Sequence, residues 1–270
     1  MTSIGTIQRP GGRAAARPRR VRRALAGCLA AAGLAACAHA PQEPAGPTAE
    51  IRAAVADPDR SEADRKTDLR RHPEQLLAFI GVRPGMKVLD VGAGAGYSTE
   101  LLARVVGSGG VVYGQDAPGA AMGRAGTAFG ERLNKAAMRN VVRVQRDFAD
   151  PVPPEVTGLD LVTVLFAYHD TAYMPVDRPA MRRRLFEALK PGGVLVVADH
   201  AARPGDGAGV AKSLHRIEED LVVREFEGSG FRLAATGDFL RHPEDPRTAI
   251  VFRSETPVDE FVLKFVKPQQ

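Results

Sequence analysis

Val88-Leu89-Asp90-Val91-Gly92-Ala93-Gly94-Ala95-Gly96-Tyr97-Ser98-Thr99 is the stretch of this sequence that predicts its fold. Its first four residues indicate a short buried strand, and three alternating glycines follow. A helix is then indicated by apolar residues at Leu101, Leu102, Val105 and Val106. Glycine is required where the backbone turns sharply and lies close to a ligand, because a Cβ would block both. A strand, a glycine turn and a helix together predict a nucleotide-binding crossover.

The spacing of the glycines separates the classes of nucleotide-binding protein. The dinucleotide fingerprint G-x-G-x-x-G would place its third glycine at position 97, which is Tyr97. A phosphate-binding loop is excluded because no Gly-Lys-Ser/Thr follows. Glycines at 92, 94 and 96 after the acid Asp90 instead resemble motif I of the class I S-adenosylmethionine-dependent methyltransferases. Alone, this motif leaves open a glycine-rich turn that binds nothing.

The next two predicted strands each end in an acid. Residues 110–116 indicate a second strand that ends in Asp116, 20 residues after Gly96. A carboxylate there can accept both ribose hydroxyls. Residues 140–148 indicate a third strand ending in Asp147-Phe148. In the resembled family, the acid at this place binds the adenine amino group and the next backbone N–H reaches the ring.

The remaining elements follow in the order that this family uses. Residues 159–166 predict a fourth strand, and a helix over 181–189 is ended by Lys-Pro-Gly-Gly, which is typical of a helix stop. A fifth strand is predicted over 194–198. Two more are predicted over 231–234 and 260–266, where the family closes its sheet with one antiparallel strand.

The resemblance implies a fold class and a cofactor. The fold is α/β: a single Rossmann-like sheet of seven strands, in the order 3-2-1-4-5-7-6 with the last strand antiparallel and helices on both faces. The cofactor is S-adenosylmethionine. The residues implied to bind it are Asp90, Gly92, Gly94, Gly96, Tyr97, Asp116, Asp147, Phe148 and Phe166.

More narrowly, the region 61–270 resembles a group of predicted bacterial methyltransferases that often carry export signals. Because the substrate of that group is not established, the resemblance implies fold and cofactor but no reaction. It depends on residues 84–90, His169-Asp170, 198–200, 214–217 and 238–241.

The first 37 residues have the pattern of a bacterial lipoprotein signal. Residues 1–36 contain seven arginines and no acid, so the formal net charge of +5 becomes −2 over the rest of the chain. An apolar run over 24–36 is too short to span a bilayer and suits a signal peptide. Leu34-Ala35-Ala36-Cys37 resembles the lipobox, which predicts an exported protein anchored to the membrane only through a lipid on Cys37. The alternative is an unused, disordered leader on a cytoplasmic protein.

The rest of the chain is predicted to be a tether and one domain. Residues 38–60 are rich in Pro, Ala and Glu and predict a disordered tether, and 61–270 form the folded domain. The charged run 60–66 is expected to be a solvated face. Residues 72–80 predict an amphipathic helix, which covers the cofactor in the resembled fold, and apolar spacing over 214–222 predicts another helix. The two cysteines, Cys28 and Cys37, lie in the leader, so the domain has no disulfide.

Polar side chains follow the fourth and fifth predicted strands, where ligands bind in open α/β sheets. They are His169 and Asp170 in one loop and Asp199 and His200 in the other. Methyl transfer needs a positioned acceptor and, for an O–H or N–H acceptor, removal of its proton. We expect His169 to be the base, with Asp170 orienting it or binding substrate and His200 as the rival base. The other interpretation is that these residues hold local turns.

No metal ligand is assigned from the sequence. One alternative stays open, because histidine and carboxylate side chains from the fourth and fifth strands converge. Catechol-type methyltransferases use carboxylates at those places for magnesium, but two histidines suit zinc or iron better.

The sequence predicts a methyltransferase that acts on a small molecule. With no basic stripe or aromatic platform, nucleic acid is disfavoured as a partner. The alternative is a non-catalytic S-adenosylmethionine-binding envelope lipoprotein, since export separates the domain from the cofactor's compartment. A nicotinamide-dependent dehydrogenase is a third hypothesis, which Tyr97 argues against.

Overall fold

Seven strands in a single sheet organise the computed structural model, which describes residues 46–119 and 123–269. The predicted signal peptide and Cys37 lie outside these residues. The strands are β1 (Lys87–Val91), β2 (Val111–Asp116), β3 (Val141–Gln145), β4 (Leu159–Leu165), β5 (Leu189–His200), β6 (Arg232–Gly237) and β7 (Glu260–Val266). The helices are α1 (Ala49–Ala56), α2 (Glu62–Arg71), α3 (Pro73–Ile80), α4 (Tyr97–Val106), α5 (Arg124–Arg132), α6 (Arg178–Ala188), α7 (Ala211–Leu214) and α8 (Glu219–Glu227).

The strand order is β3-β2-β1-β4-β5-β7-β6, which confirms the predicted sheet. β1 to β5 pair in parallel, and β7 runs antiparallel to both of its neighbours. The predicted turn after α6 belongs to β5, where residues 190–193 bulge out of the pairing with β4. Because β1 to β5 are parallel, their carboxyl ends all meet at one edge of the sheet.

The core consists of two apolar layers, one on each face of the sheet. Val88, Leu161 and Val196 pack on one face with α1, α3 and α4. On the other face, Leu89 and Val162 pack with α6 and α8. Strands buried on both faces are continuously apolar, which is why β1, β4 and β5 could be recognised in the sequence. None of the helices in the described part of the chain is long and apolar enough to cross a membrane.

Three predictions about segments outside the sheet are wrong. The predicted tether 38–60 contains α1, whose Ile51 is buried in the core. The run 60–66 is not simply a solvated face, since Arg60 and Asp64 are buried in ion pairs. The helix predicted over 214–222 is two helices, separated where the backbone turns left-handed at His215.

Candidate functional site

The glycine loop between β1 and α4 places three glycines in the left-handed region, with φ of 72° at Gly92, 56° at Gly94 and 81° at Gly96. A Cβ on Gly92 would lie 2.5 Å from Ala167 Cβ, and one on Gly96 would lie 2.4 Å from the Phe129 ring. At Gly94, the nearest atom to such a Cβ would be 4.0 Å away. The outer glycines are therefore needed for packing, whereas the middle one leaves open space beside the backbone that a ligand can approach.

The end of β2 holds this loop through its backbone. The N–H groups of Gly92 and Ala93 both donate to the Gln115 carbonyl over 2.9 Å, and the Gly94 N–H donates to Asp116 Oδ2 over 2.8 Å. Burial raises the pKa of the Asp116 carboxyl, against the lowering effect of that N–H and of Arg143. Asp116 thus lies beside the open face of Gly94, where the sequence placed a ribose-binding acid. Gln115 was not predicted.

Asp90 lies beneath the loop, away from its open face. The carboxylate is buried and accepts hydrogen bonds of 2.7 Å from the hydroxyls of Thr99 and Thr163. Burial raises the pKa of Asp90 to about 6, because the two hydroxyls only partly offset the lost solvation. With both oxygens occupied, Asp90 joins β1 to α4 and β4, and this geometry favours a positioning role over the predicted direct contact with cofactor.

The predicted adenine-binding pair follows β3. Asp147 is exposed to solvent, and Phe148 is buried with its ring 3.7 Å from where a Cβ on Gly92 would lie. The aromatic ring therefore closes one wall of the loop, and the carboxylate lies at its rim.

Helix α2 is fastened over the glycine loop by an ion-pair cluster that sequence reasoning missed. Asp68 pairs with Arg60 through two bonds of 2.7 Å and accepts from the Tyr97 hydroxyl over 2.7 Å. Arg132 donates to both oxygens of Asp64 and, through Nε, to the Ala95 carbonyl over 2.9 Å. These contacts hold Tyr97 against α2 and away from the loop. We call the loop, the ends of β1 to β3 and α2 the glycine side.

Arg71, the last residue of α2, lies where β4 ends. Its guanidinium is 3.2 Å from the centre of the Phe166 ring, and its buried Nε has no hydrogen-bond partner among the described residues. Burial lowers the pKa of Arg71 to about 10. Phe166 has a φ of 61°, an uncommon conformation for an aromatic residue, and its N–H is held by the Ala198 carbonyl at 2.6 Å. The result is a cation held over the ring of Phe166, whose backbone is strained, at the carboxyl edge of the sheet.

His169 lies between two carboxylates at the end of β4. Its Nδ1 is 2.7 Å from Asp199 Oδ1, its backbone N–H donates to Asp199 Oδ2 over 2.8 Å, and its Nε2 is 3.1 Å from Asp170 Oδ1. Burial alone would lower the pKa of His169, but the two carboxylates outweigh it and raise the pKa to about 10. A ring held in this way is charged at neutral pH, which argues against the predicted role of His169 as a free base.

His200, the predicted rival base, is the last residue of β5 and packs between neighbouring rings. It is buried between the rings of Phe166 and His169, at centroid distances of 5.3 and 5.6 Å. Its Nδ1 lies 3.1 Å from Glu260 Oε1 but makes no hydrogen bond, and the same oxygen accepts from Arg70 over 2.9 Å. This placement gives His200 no direct access to a reacting group.

His215 is the third member of the cluster, and the sequence analysis missed it. Its Nδ1 lies 3.2 Å from His169 Nε2 and 3.7 Å from Asp170 Oδ1. The rings of Tyr173 and Phe252 pack on it, and Phe252 is 75% exposed. Only its presence in the quoted segment 214–217 could have indicated His215. We call the ends of β4 and β5 with His215 and these two rings the histidine side.

A large cavity lies elsewhere. It measures about 670 Å³ and is lined by α1, the end of α4 and residues 136–140, at the amino ends of the strands. Ligands of open α/β sheets bind at the carboxyl ends instead, and the clustered titratable groups are found there. We therefore assign the functional site to the carboxyl edge.

Comparisons with known proteins identify the family of the chain. The family described as "Methyltransferase domain" matches residues 83–227, more than half of the chain. The ubiquinone/menaquinone biosynthesis C-methyltransferase UbiE of Shewanella sp. (strain W3-18-1) is 32% identical over 130 residues, 48% of this chain and 47% of the relative. The demethylmenaquinone methyltransferase of Staphylococcus aureus (strain MRSA252) is 35% identical over 129 residues, 46% of each chain. The chain thus spans about half the length of the curated relatives it matches.

Solved structures share the fold at low sequence identity. A SAM-dependent methyltransferase from Aquifex aeolicus superposes with a TM-score of 0.56 and 22% identity, covering 76% of this chain and 97% of that one. An arsenic(III) S-adenosylmethionine methyltransferase from Chlamydomonas reinhardtii gives a TM-score of 0.53 and 18% identity, covering 83% and 75%.

Proposed function

The chain belongs to the class I S-adenosylmethionine-dependent methyltransferases, and from that premise we propose that it methylates a small molecule bound on the histidine side. The observation that carries the proposal is the polar cluster of His169, Asp170 and His215, beside which Tyr173 and Phe252 are exposed to solvent. We propose that an acceptor with a ring or a polar group packs against these exposed rings. The relatives named for quinone biosynthesis support a small acceptor of this kind.

Each part of the glycine side has a place in binding the cofactor, S-adenosylmethionine. We propose that Asp116 accepts the ribose hydroxyls and that Phe148 and Asp147 contact the adenine. Gly94 provides the backbone surface that the cofactor approaches, because a Cβ there would project into open space. Gly92, Gly96 and Asp90 shape the loop, and Tyr97 secures it to α2.

We further propose that Arg71 binds the carboxylate of the cofactor's methionine part. A guanidinium whose buried Nε has no partner among the described residues is unfavourable unless an anion offsets the lost solvation. Phe166, on which Arg71 stacks, lies directly before Ala167, the residue that touches the loop at Gly92. The charge therefore stands between the glycine side and the histidine side, where the methyl donor and its acceptor must meet.

The test uses the full chain with S-adenosylmethionine and a panel of phenols, quinols, amines, thiols and carboxylates. We expect S-adenosylhomocysteine to form with at least one acceptor. Isothermal titration should show micromolar cofactor binding that Asp116→Ala weakens at least about tenfold, since a charged hydrogen bond is worth roughly 1.5–3 kcal/mol. The control Glu155→Ala, an exposed acid on another part of the surface, should bind normally. Binding without turnover across the whole panel would favour the non-catalytic alternative.

Export and a lipid anchor at Cys37 remain part of the proposal. They are tested by fractionating the native host and comparing the wild type with Cys37→Ser. We expect the wild type in the membrane fraction and the variant released from it. If both remain in the cytoplasm, the leader is not used.

A further inference from the structure

We propose that His169, Asp170 and His215 form a binding site for a divalent transition-metal ion, for which Zn²⁺ is the best match. One imidazole and one carboxylate come from the 3₁₀ turn His169–Ala172 after β4, and the second imidazole comes from the residue that ends α7. α7 packs against that turn, so two segments more than 40 residues apart meet at one point.

The distances within the cluster match those between ligands of one ion. His169 Nε2 lies 3.1 Å from Asp170 Oδ1 and 3.2 Å from His215 Nδ1, and the third side of the triangle is 3.7 Å. Ligand atoms at about 2.1 Å from a zinc ion lie roughly 3.4 Å apart when the geometry is tetrahedral. A single ion can therefore bind all three atoms with small adjustments of the side chains.

The surroundings hold the ligands in place. Asp199 engages His169 Nδ1 at 2.7 Å, the carboxylate–histidine arrangement that fixes ring orientation and tautomer at metal sites. The Tyr173 hydroxyl donates to Asp170 Oδ1. His215 keeps a φ of 55°, which directs its ring toward the cluster at a cost in backbone strain. Each ligand is thus fixed by a separate contact.

The donor atoms and charges select the type of ion. Two imidazoles and one carboxylate suit Zn²⁺ or Fe²⁺, whereas Mg²⁺ and Ca²⁺ prefer oxygen ligands throughout. Asp170 and Asp199 bring two negative charges to the cluster, which balance a dication once the ion has displaced the proton of His169 and both imidazoles are neutral. The site therefore compensates the ion's charge without a further protein group.

Three protein ligands leave a coordination position open, as in catalytic rather than structural zinc sites. Tyr173 and Phe252 border the cluster at its exposed edge. An acceptor hydroxyl or thiol bound there would release its proton to solvent more easily, and its anion would take the methyl group from the sulfonium and leave S-adenosylhomocysteine. The ion would thus supply the activation that neither His169 nor His200 is placed to give. This last step rests on the proposed function, whereas metal binding itself does not.

Metal binding is measured on the full chain, treated with EDTA, dialysed and titrated with ZnCl₂ in a calorimeter. Because Cys28 and Cys37 can also bind zinc, both are replaced by serine in every sample. The variants are Asp170→Asn and His215→Asn, the latter because asparagine tolerates the left-handed backbone. The matched control is His242→Asn, a partly exposed histidine paired with Glu244.

We expect about one equivalent of Zn²⁺ to bind the unsubstituted site and to raise its unfolding temperature. Both site variants should bind at least on the order of 10- to 100-fold more weakly, which is the loss already caused by removing an outer-shell partner of a metal ligand. His242→Asn should bind as the parent does. Co²⁺ should give visible absorption bands that the site variants lose. Absence of zinc and cobalt binding, or equal binding by His215→Asn with an unchanged fold, would overturn the proposal.

The outcome is separate from that of the proposed function. Cofactor titration of the EDTA-treated chain reports on the glycine side alone, and acceptor turnover with and without Zn²⁺ reports on both. Turnover that is unaffected by EDTA, in a chain that binds zinc at His215, would retain the metal site and reject its part in activating the acceptor.

Discussion

The glycine side and the histidine side of the functional site are built in different ways. On the glycine side, backbone groups of a few consecutive residues determine the shape: three left-handed glycines and N–H groups bonded to Gln115 and Asp116. On the histidine side, side chains from three separate segments meet, with His169, Asp199 and His215 within one hydrogen-bonded group. A substitution should therefore damage folding on the glycine side and chemistry on the histidine side.

The largest expected effect is that of Gly96→Ala. Its Cβ would lie 2.4 Å from the Phe129 ring at a φ of 81°, so we expect the free energy of unfolding to fall by about 3–5 kcal/mol. Gly94→Ala meets no such clash and should cost only about 1 kcal/mol, from its backbone strain. Its Cβ should nevertheless weaken cofactor binding at least tenfold. Urea unfolding measures the stability of each variant, and calorimetry measures its cofactor binding. Equal stability losses for Gly96→Ala and Gly94→Ala would contradict the assignment of Gly94 to the ligand.

A buried carboxylate supplies the second test of the glycine side. The pKa of Asp90 is about 6 in the folded chain, above its unfolded value, so the ionised carboxylate opposes folding increasingly as the pH rises through that range. Asp90→Asn, which can still bond both threonines, removes this dependence. We expect the free energy of unfolding of Asp90→Asn to increase relative to that of the wild type by about 2–3 kcal/mol between pH 4 and pH 7. Above that range the difference should level off.

Asp160→Asn is the control of opposite sign. Burial alone would raise the pKa of Asp160, but its bonds to Lys190 and to the Lys87 N–H outweigh burial and lower it. The ionised form therefore stabilises the fold, and the cost of losing it should grow as the pH rises through the folded pKa and should be complete once the pH is above the unfolded pKa. Urea unfolding over the pH range checks both signs. Parallel curves for the two variants would contradict this account of Asp90.

Arg71 lies at the border between the two sides, and its removal should affect binding more than folding. We expect Arg71→Ala to weaken S-adenosylhomocysteine binding about tenfold, roughly 1.4 kcal/mol, by removing a partner of the carboxylate. Methylthioadenosine lacks that carboxylate and should bind the variant and the wild type alike. Arg65→Ala removes an exposed cation from the same helix and should change neither affinity. If Arg71→Ala weakened the binding of both ligands equally, Arg71 would shape the site and would not bind the carboxylate.

The same contrast explains what the sequence could predict. The glycine loop and the strands were visible because each is a continuous pattern, and β7 has the predicted bounds 260–266. His215 was not visible in the sequence, because its place in the site depends on the packing of α7 against the turn after β4. A histidine with a left-handed backbone also has no signal in the local sequence. α1 was missed because a helix of eight residues is marginal alone and is stabilised by burying Ile51. Thr48, which caps it, was the signal available.

The smallest expected effect is at Phe252, and it tests whether the histidine side depends on side chains alone. The ring is 75% exposed and lies 4.9 Å from the His215 ring, so Phe252→Ala should change the free energy of unfolding by less than about 0.5 kcal/mol. Loss of one aromatic wall should still raise KM for the acceptor by about fivefold, or roughly 1 kcal/mol, with KM for the cofactor unchanged. Val142→Ala, on β3, truncates another exposed apolar side chain and should alter neither constant. If Phe252→Ala raised KM for the cofactor instead, Phe252 would contribute to cofactor binding as well. The glycine side and the histidine side would then not be separate at His215.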